Sequence, residues 1–168
     1  FVAGEDAAFF SHEGLDYVSI FRAAVKNLVS KIEPGSGGRM QGGSTITQQV
    51  AKSFISPERT LRRKLKDMML ARRLEKNLTK QEILYLYLNQ IFFGQGYGIV
   101  EAARQYFGKS VQELTVSEAA LLAGLPKAPS TYSPYANPKA AEMRRLYVLT
   151  EMRNNKFIDE ATYQEAVA

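Results

Sequence analysis

The chain has 168 residues, room for one domain with a sizeable core and too little for two of ordinary size. Its 45% apolar and 23% charged residues exclude a wholly disordered chain, and no apolar run approaches the roughly 18 residues of a membrane span. The absence of cysteine and the single histidine, His12, exclude a disulfide scaffold, thiol catalysis and a His-rich metal site, while a net charge of +5 leaves room for a polyanionic partner.

The predicted elements are helical. Asp16 can cap a helix carrying Val18, Phe21, Val25 and Leu28 at spacings of three and four. Pro34-Gly35-Ser36-Gly37-Gly38 reads as a mobile loop. A second helix starts near Ser44 or Thr45, with Ile46, Val50 and Phe54 on one face, and Ser56-Pro57 opens a third that runs to about Glu75. The Thr79 to Glu82 capping box opens a helix to about Phe93. Gly94, Gly96 and Gly98 interrupt, and a helix over Val100 to Tyr106 ends at Gly108. Capping boxes recur at Ser110 to Glu113 and Thr115 to Glu118. Pro126, Pro129, Pro134 and Pro138 mark an extended crossing, and helices from about Lys139 and from Asp159 close the chain. With no long alternating run and no repeat, the fold class is mostly α, in a single domain over residues 1–168. A start at Phe1 rather than Met fits a domain excised from a longer protein.

Three segments carry chemistry. Glu5-Asp6 precede Phe9-Phe10, and a carboxylate beside an apolar wall titrates closer to the range useful for proton transfer. The same residues also suit an acidic helix terminus with the two rings in the core. Gly42-Gly43-Ser44-Thr45-Ile46-Thr47-Gln48-Gln49 holds more hydrogen-bonding groups than a cap requires. Its glycines allow close backbone approach, and free N–H groups at a helix start attract phosphate. From Arg59 to Arg73, helical spacing gathers Leu61, Leu65, Met68 and Met69 into one sector, with Arg59, Arg63 and Lys66 opposite and Asp67 beside Arg63. That face is either a solvated one or the wall of a phosphate-binding cleft.

Together, Glu5-Asp6-x-x-Phe9-x-x-His12-x-Gly14, the Gly42 to Gln49 run and Arg63-Lys64-x-x-Asp67 strongly resemble the peptidoglycan glycosyltransferases. These are the polymerising domains of bifunctional penicillin-binding proteins and their monofunctional relatives. Lys80-x-x-Ile83-Leu84-x-x-Tyr87-Leu88-Asn89 and Arg144-Arg145-x-x-Val148-Leu149 look like the fourth and fifth motifs of that family. The resemblance implies a lysozyme-like, two-lobed helical domain. Between a larger lobe and a smaller membrane-facing one, a cleft polymerises lipid II on the outer face of the bacterial cytoplasmic membrane. The donor is a growing glycan strand on undecaprenyl pyrophosphate, and the acceptor is the 4-hydroxyl of another lipid II. Displacement inverts the anomeric carbon and gives a β-1,4 link.

By the same resemblance Glu5 is the general base, with Asp67 as the second catalytic carboxylate. Lys52, Arg59, Arg63 and Lys64 match the basic donor-site residues, and Ser44 and Gln49 match polar contacts of that site. Asn89 organises the cleft, and Arg144 and Arg145 brace the fold. Asp67 with a pyrophosphate could recruit magnesium or manganese, both suited to hard oxygen ligands. The expected partners are lipid II, the glycan strand, the membrane surface and other cell-wall synthesis proteins, with no nucleic acid.

Three features depart from the pattern. Asp67 stands where the family usually has glutamate, one methylene shorter, and a 1 Å misplacement can cost on the order of a hundredfold. The stretch from Lys52 to Arg59 is about one residue short, and Glu33 to Arg39 looks like an insertion. Two rival readings follow: a catalytically weak wall-synthesis scaffold of this family, and a lytic, glycan-cleaving relative. The latter needs no cations around a leaving phosphate. A helical nucleic-acid-binding module would leave the first two motifs unexplained.

Overall fold

The structure is a computed structural model that describes residues 1–32, 44–55 and 60–168. The glycine-rich run at 34–38, the Glu33 to Arg39 stretch, Gly42-Gly43, the Ser56-Pro57 start and Arg59 lie outside the described residues, as do the side chains of Leu28 and Leu61. The described residues are mostly helical: α1 (Val2–Glu5), α2 (Tyr17–Ile32), α3 (Ile46–Ser53), α4 (Leu61–Asn77), α5 (Lys80–Gln90), α6 (Ile99–Phe107), α7 (Val116–Gly124), α8 (Pro138–Asn154) and α9 (Glu160–Val167). Extended pairing among them is confined to one antiparallel bridge, Phe92 with Tyr97, across the glycine-rich turn.

Most helix starts are where the side chains put them. Asp16 accepts the Ser19 N–H at 3.0 Å ahead of α2. Thr45 and Gln48 close a reciprocal capping box on α3, at 3.0 and 3.1 Å. Thr79 with Glu82, Ser110 with Glu113 and Thr115 with Glu118 repeat the pattern. Gly108 ends α6 in the left-handed conformation, at φ 66°. The third helix differs from expectation: Thr60 caps α4, and its last turn reaches Asn77.

Contacts divide the chain into two compact units, one of residues 1–7 with 84–168, the other of residues 8–83. In the first, Phe93, Ile99, Ala102, Ala103, Leu122 and Leu125 form one buried cluster. Ala120, Ala123, Val148, Leu149 and Ala166 form a second. Small residues let the short α1 lie on α8: a Cβ at Gly4 would stand 3.2 Å from Val148 Cγ2. Arg145 ties α8 to its neighbours, donating to Ser117 Oγ in α7 and to the Ala166 carbonyl in α9 at 2.6 Å. This is the bracing role expected of it.

The second unit buries Phe9, Leu15, Ala23, Ile46, Val50, Ala51, Ala71 and Ile83. Three expectations fail here. Leu65 and Met69 are 61% and 60% exposed, while Asp67 and Ala71 are buried. α4 turns the side of Lys64 and Glu75 toward α3, because Lys64 bonds Ser44 and Glu75 bonds Thr47. Phe54, expected on the buried face of α3, lies just past the helix end and is exposed. The Val18, Phe21 and Val25 face of α2 is exposed as well, Phe21 at 71%.

Candidate active site

In the first unit, Glu5 is the last residue of α1 and its side chain is nearly covered. Its Oε1 accepts from Nη2 of Arg144, on α8, at 2.8 Å. Arg144 is held in its turn: its Nε points to the Gly124 carbonyl at 3.4 Å, and its guanidinium lies over Tyr147 at 4.6 Å and Tyr132 at 5.7 Å. Gly124 is needed for this passage, since a Cβ there would come within 2.8 Å of Arg144 Cγ. A charge-assisted bond from a guanidinium is short and directional, and it fixes the carboxylate in one place. The immediate polar partner of Glu5 is therefore a cation, where the sequence pointed to an apolar wall. Tyr87, on α5, is buried within electrostatic reach of Glu5, Asp6 and Arg144.

In the second unit, the packing of α3 on α4 assembles the basic residues. Lys64 Nζ donates to Ser44 Oγ at 3.0 Å, and Arg63 Nε lies 3.8 Å from Asp67 Oδ2. Lys52, in the last turn of α3, is exposed and interacts with Lys64 through charge. Partial burial lowers the Lys64 pKa, and the like charges of Arg63 and Lys52 lower it further against the opposing pull of Asp67. Asp67 is 3% exposed, and its Oδ1 has no hydrogen-bond partner among the described residues. Gln48 is buried too, its Nε2 unpaired while its Oε1 serves the helix cap. Gln49 is half-buried in the same helix. Four of the predicted donor-site residues, Ser44, Lys52, Arg63 and Lys64, are thus linked by contact or charge with Asp67, the expected second catalytic carboxylate.

A third constellation went unread in the sequence. Glu75 Oε1 accepts from Thr47 Oγ1 at 2.5 Å and from Lys80 Nζ at 2.7 Å. Lys80 Nζ also donates to the His12 carbonyl at 2.6 Å and lies over the Phe9 ring at 4.5 Å. This hub pins the segment after Glu5-Asp6 to α3, α4 and the start of α5. His12 is structural in this arrangement, its Nδ1 accepting the Gly14 N–H at 3.1 Å. Gly14, at φ 85°, lets the backbone pass over α4, where a Cβ would meet Glu75 Cγ at 2.9 Å. The available signal was Lys80, part of the fourth motif. The Asn89 side chain, by contrast, is exposed and donates to the Tyr85 carbonyl of its own helix at 2.8 Å.

A family model described as Transglycosylase matches residues 1–153. The chain belongs to the transglycosylase family. That membership bears out the resemblance carried by the motifs, and with it the enzyme class, peptidoglycan glycosyltransferase. Penicillin-binding protein 1A of Aquifex aeolicus is 50% identical over 99% of this chain, which corresponds to 22% of that protein. A Cupriavidus necator protein bearing a transglycosylase name is 48% identical over 99% of this chain and 70% of its own length. The crystal structure of penicillin-binding protein 1A from Haemophilus influenzae matches 71% of this chain and 16% of its own, with 42% identity and a TM-score of 0.51. The mostly helical fold is therefore that of a transglycosylase domain. The chain spans about a fifth of the Aquifex relative.

Proposed function

We propose that this domain polymerises lipid II, joining the units by β-1,4 bonds with inversion and releasing undecaprenyl pyrophosphate. The observation that carries the reading is the α3 and α4 packing, which links Ser44, Lys52 and Arg63 to Lys64 with Asp67 beside Arg63, so that cations outnumber carboxylates among the described residues of the cluster. A lytic enzyme has no use for such a cluster. A leaving pyrophosphate does, because its negative charge grows as the glycosidic bond breaks.

In this mechanism Glu5, held in place by Arg144, removes the proton of the acceptor 4-hydroxyl as that oxygen attacks the anomeric carbon. The bond from anomeric carbon to pyrophosphate oxygen breaks, and its electron pair leaves with the pyrophosphate. Lys64, Arg63 and Lys52 offset the developing charge, and Arg59 joins them by family resemblance. Ser44 and Gln49 orient the donor. Asp67 Oδ1 offers a hard, unpaired oxygen, and among the described residues no group of three or more His, Cys, Asp or Glu could hold a metal ion. A magnesium or manganese ion would accordingly take Asp67 together with substrate phosphate oxygens, and would add positive charge there.

The membrane setting rests on the substrate. No helix among the described residues is long and apolar enough to cross a bilayer, while Tyr17, Val18, Phe21 and Val25 on α2 and Phe54 after α3 expose apolar surface suited to its face. The outer face of the cytoplasmic membrane, the growing glycan strand and other cell-wall synthesis proteins complete the proposed context.

A second reading, a catalytically weak scaffold, draws on the burial of Asp67. Lipid II turnover in detergent tests both: strands from this chain that vanish in Glu5→Gln support the polymerase, and none from either this chain or Asp67→Glu supports the scaffold.

A further inference from the structure

Neither the packing nor the chemistry above uses the Tyr87 hydroxyl. Tyr87 is 1% exposed and its hydroxyl is buried without a hydrogen-bond partner. A ring that only fills space is served as well by phenylalanine, whereas a buried hydroxyl left unpaired is a cost that calls for a reason. The ring is fixed edge-on against Phe1, centroid to centroid 6.2 Å, and Phe1 caps the helix that ends on Glu5. The charged groups facing Tyr87 are Glu5 and Asp6 from α1 and Arg144 from α8. Burial, reinforced by Glu5, pushes the phenol pKa well above its ordinary value, so the group stays a neutral O–H donor.

We infer that Tyr87 is a positioning residue for Glu5: its O–H donates to the ionised Glu5 carboxylate in the state poised to take the acceptor proton. Tyr87 keeps its own proton throughout, and the sugar proton passes to Glu5 alone. The inference rests on the reading of Glu5 as the base.

The test compares the whole chain with its Tyr87→Phe variant by the pH–rate profile of strand formation, by the carbon-13 titration midpoint of the Glu5 carboxyl with a pyrophosphate-bearing donor mimic bound, and by thermal unfolding of the free chain. Loss of a donor to the charged form moves the acid limb and the Glu5 midpoint to higher pH, by about half a unit to one unit. Thermal stability does not fall, because the hydroxyl makes no bond in the resting state. Incorporating 3-fluorotyrosine at position 87, a stronger donor of nearly the same size, moves both readouts to lower pH. An unmoved Glu5 midpoint in Tyr87→Phe overturns the inference, as does lost stability with an unmoved acid limb. If Tyr87→Phe does not fold, an unmoved midpoint in the fluorotyrosine protein overturns it equally. Full activity in Glu5→Gln would instead overturn the base reading, and the carboxyl titration would still decide whether Tyr87 acts on Glu5.

Discussion

Glu5 is paired and covered: its carboxylate meets a guanidinium that two tyrosine rings overlie. Around Lys64, among the described residues, Lys52, Arg63 and Lys64 outnumber the carboxylate of Asp67. On the proposed reading the two regions do two kinds of work. The base must be held in one place before substrate arrives, which a buried ion pair does. The anion site instead gathers cations: burial lowers the Lys64 pKa most, Asp67 opposes that, and Arg63 and Lys52 add to it, so a bound anion would favour the charged lysine.

The largest expected effect breaks the first region. Glu5→Gln should cost about 10²–10⁴ in strand formation with the fold intact, measured by lipid II turnover and circular dichroism. Arg144→Ala comes next: it removes the guanidinium bonded to the buried Glu5, and should destabilise the fold by about 3–5 kcal/mol in denaturant titration, with Arg144→Lys recovering part. The second region should answer in the opposite sense. Lys64→Met should weaken binding of a pyrophosphate-bearing donor mimic by about tenfold or more, while the melting temperature holds or rises as repulsion is relieved. The smallest effect is in pH. Because the folded Lys64 pKa lies below that of an ordinary lysine, its charge is lost earlier as pH rises. Donor-mimic affinity should therefore begin to fall below the usual lysine range, and Lys64→Arg should remove that fall. A melting temperature that drops in Lys64→Met as far as in Arg144→Ala would erase the contrast between the two regions.

The parts legible in the sequence were local ones. The helix start near Thr45 and the capping boxes at Thr79, Ser110 and Thr115 need only near neighbours in the chain, and the motifs that reveal the family are short. What was not legible depends on partners far along the chain. Arg144 stands 139 positions from Glu5, so nothing near Glu5 shows that its partner is a cation. In α4, spacing alone assigned Leu65 and Met69 to the interior, but α3 is met through Lys64 and Glu75, which carries Asp67 inward instead. Polar contacts chose the face, against the count of apolar residues. The Glu75 hub escaped for the same reason: its partners Thr47 and Lys80 come from different helices and read separately as a helix start and a helix start.

The central claim is that Glu5 and the Lys64 cluster serve one polymerising reaction. The most direct test is lipid II turnover in detergent with magnesium, run side by side on this chain, Glu5→Gln, Lys64→Met and Asp67→Glu. The account predicts glycan strands from this chain, none from Glu5→Gln, few from Lys64→Met until donor is raised, and at least undiminished synthesis from Asp67→Glu. Strands formed by Glu5→Gln at the rate of the parent chain would contradict it.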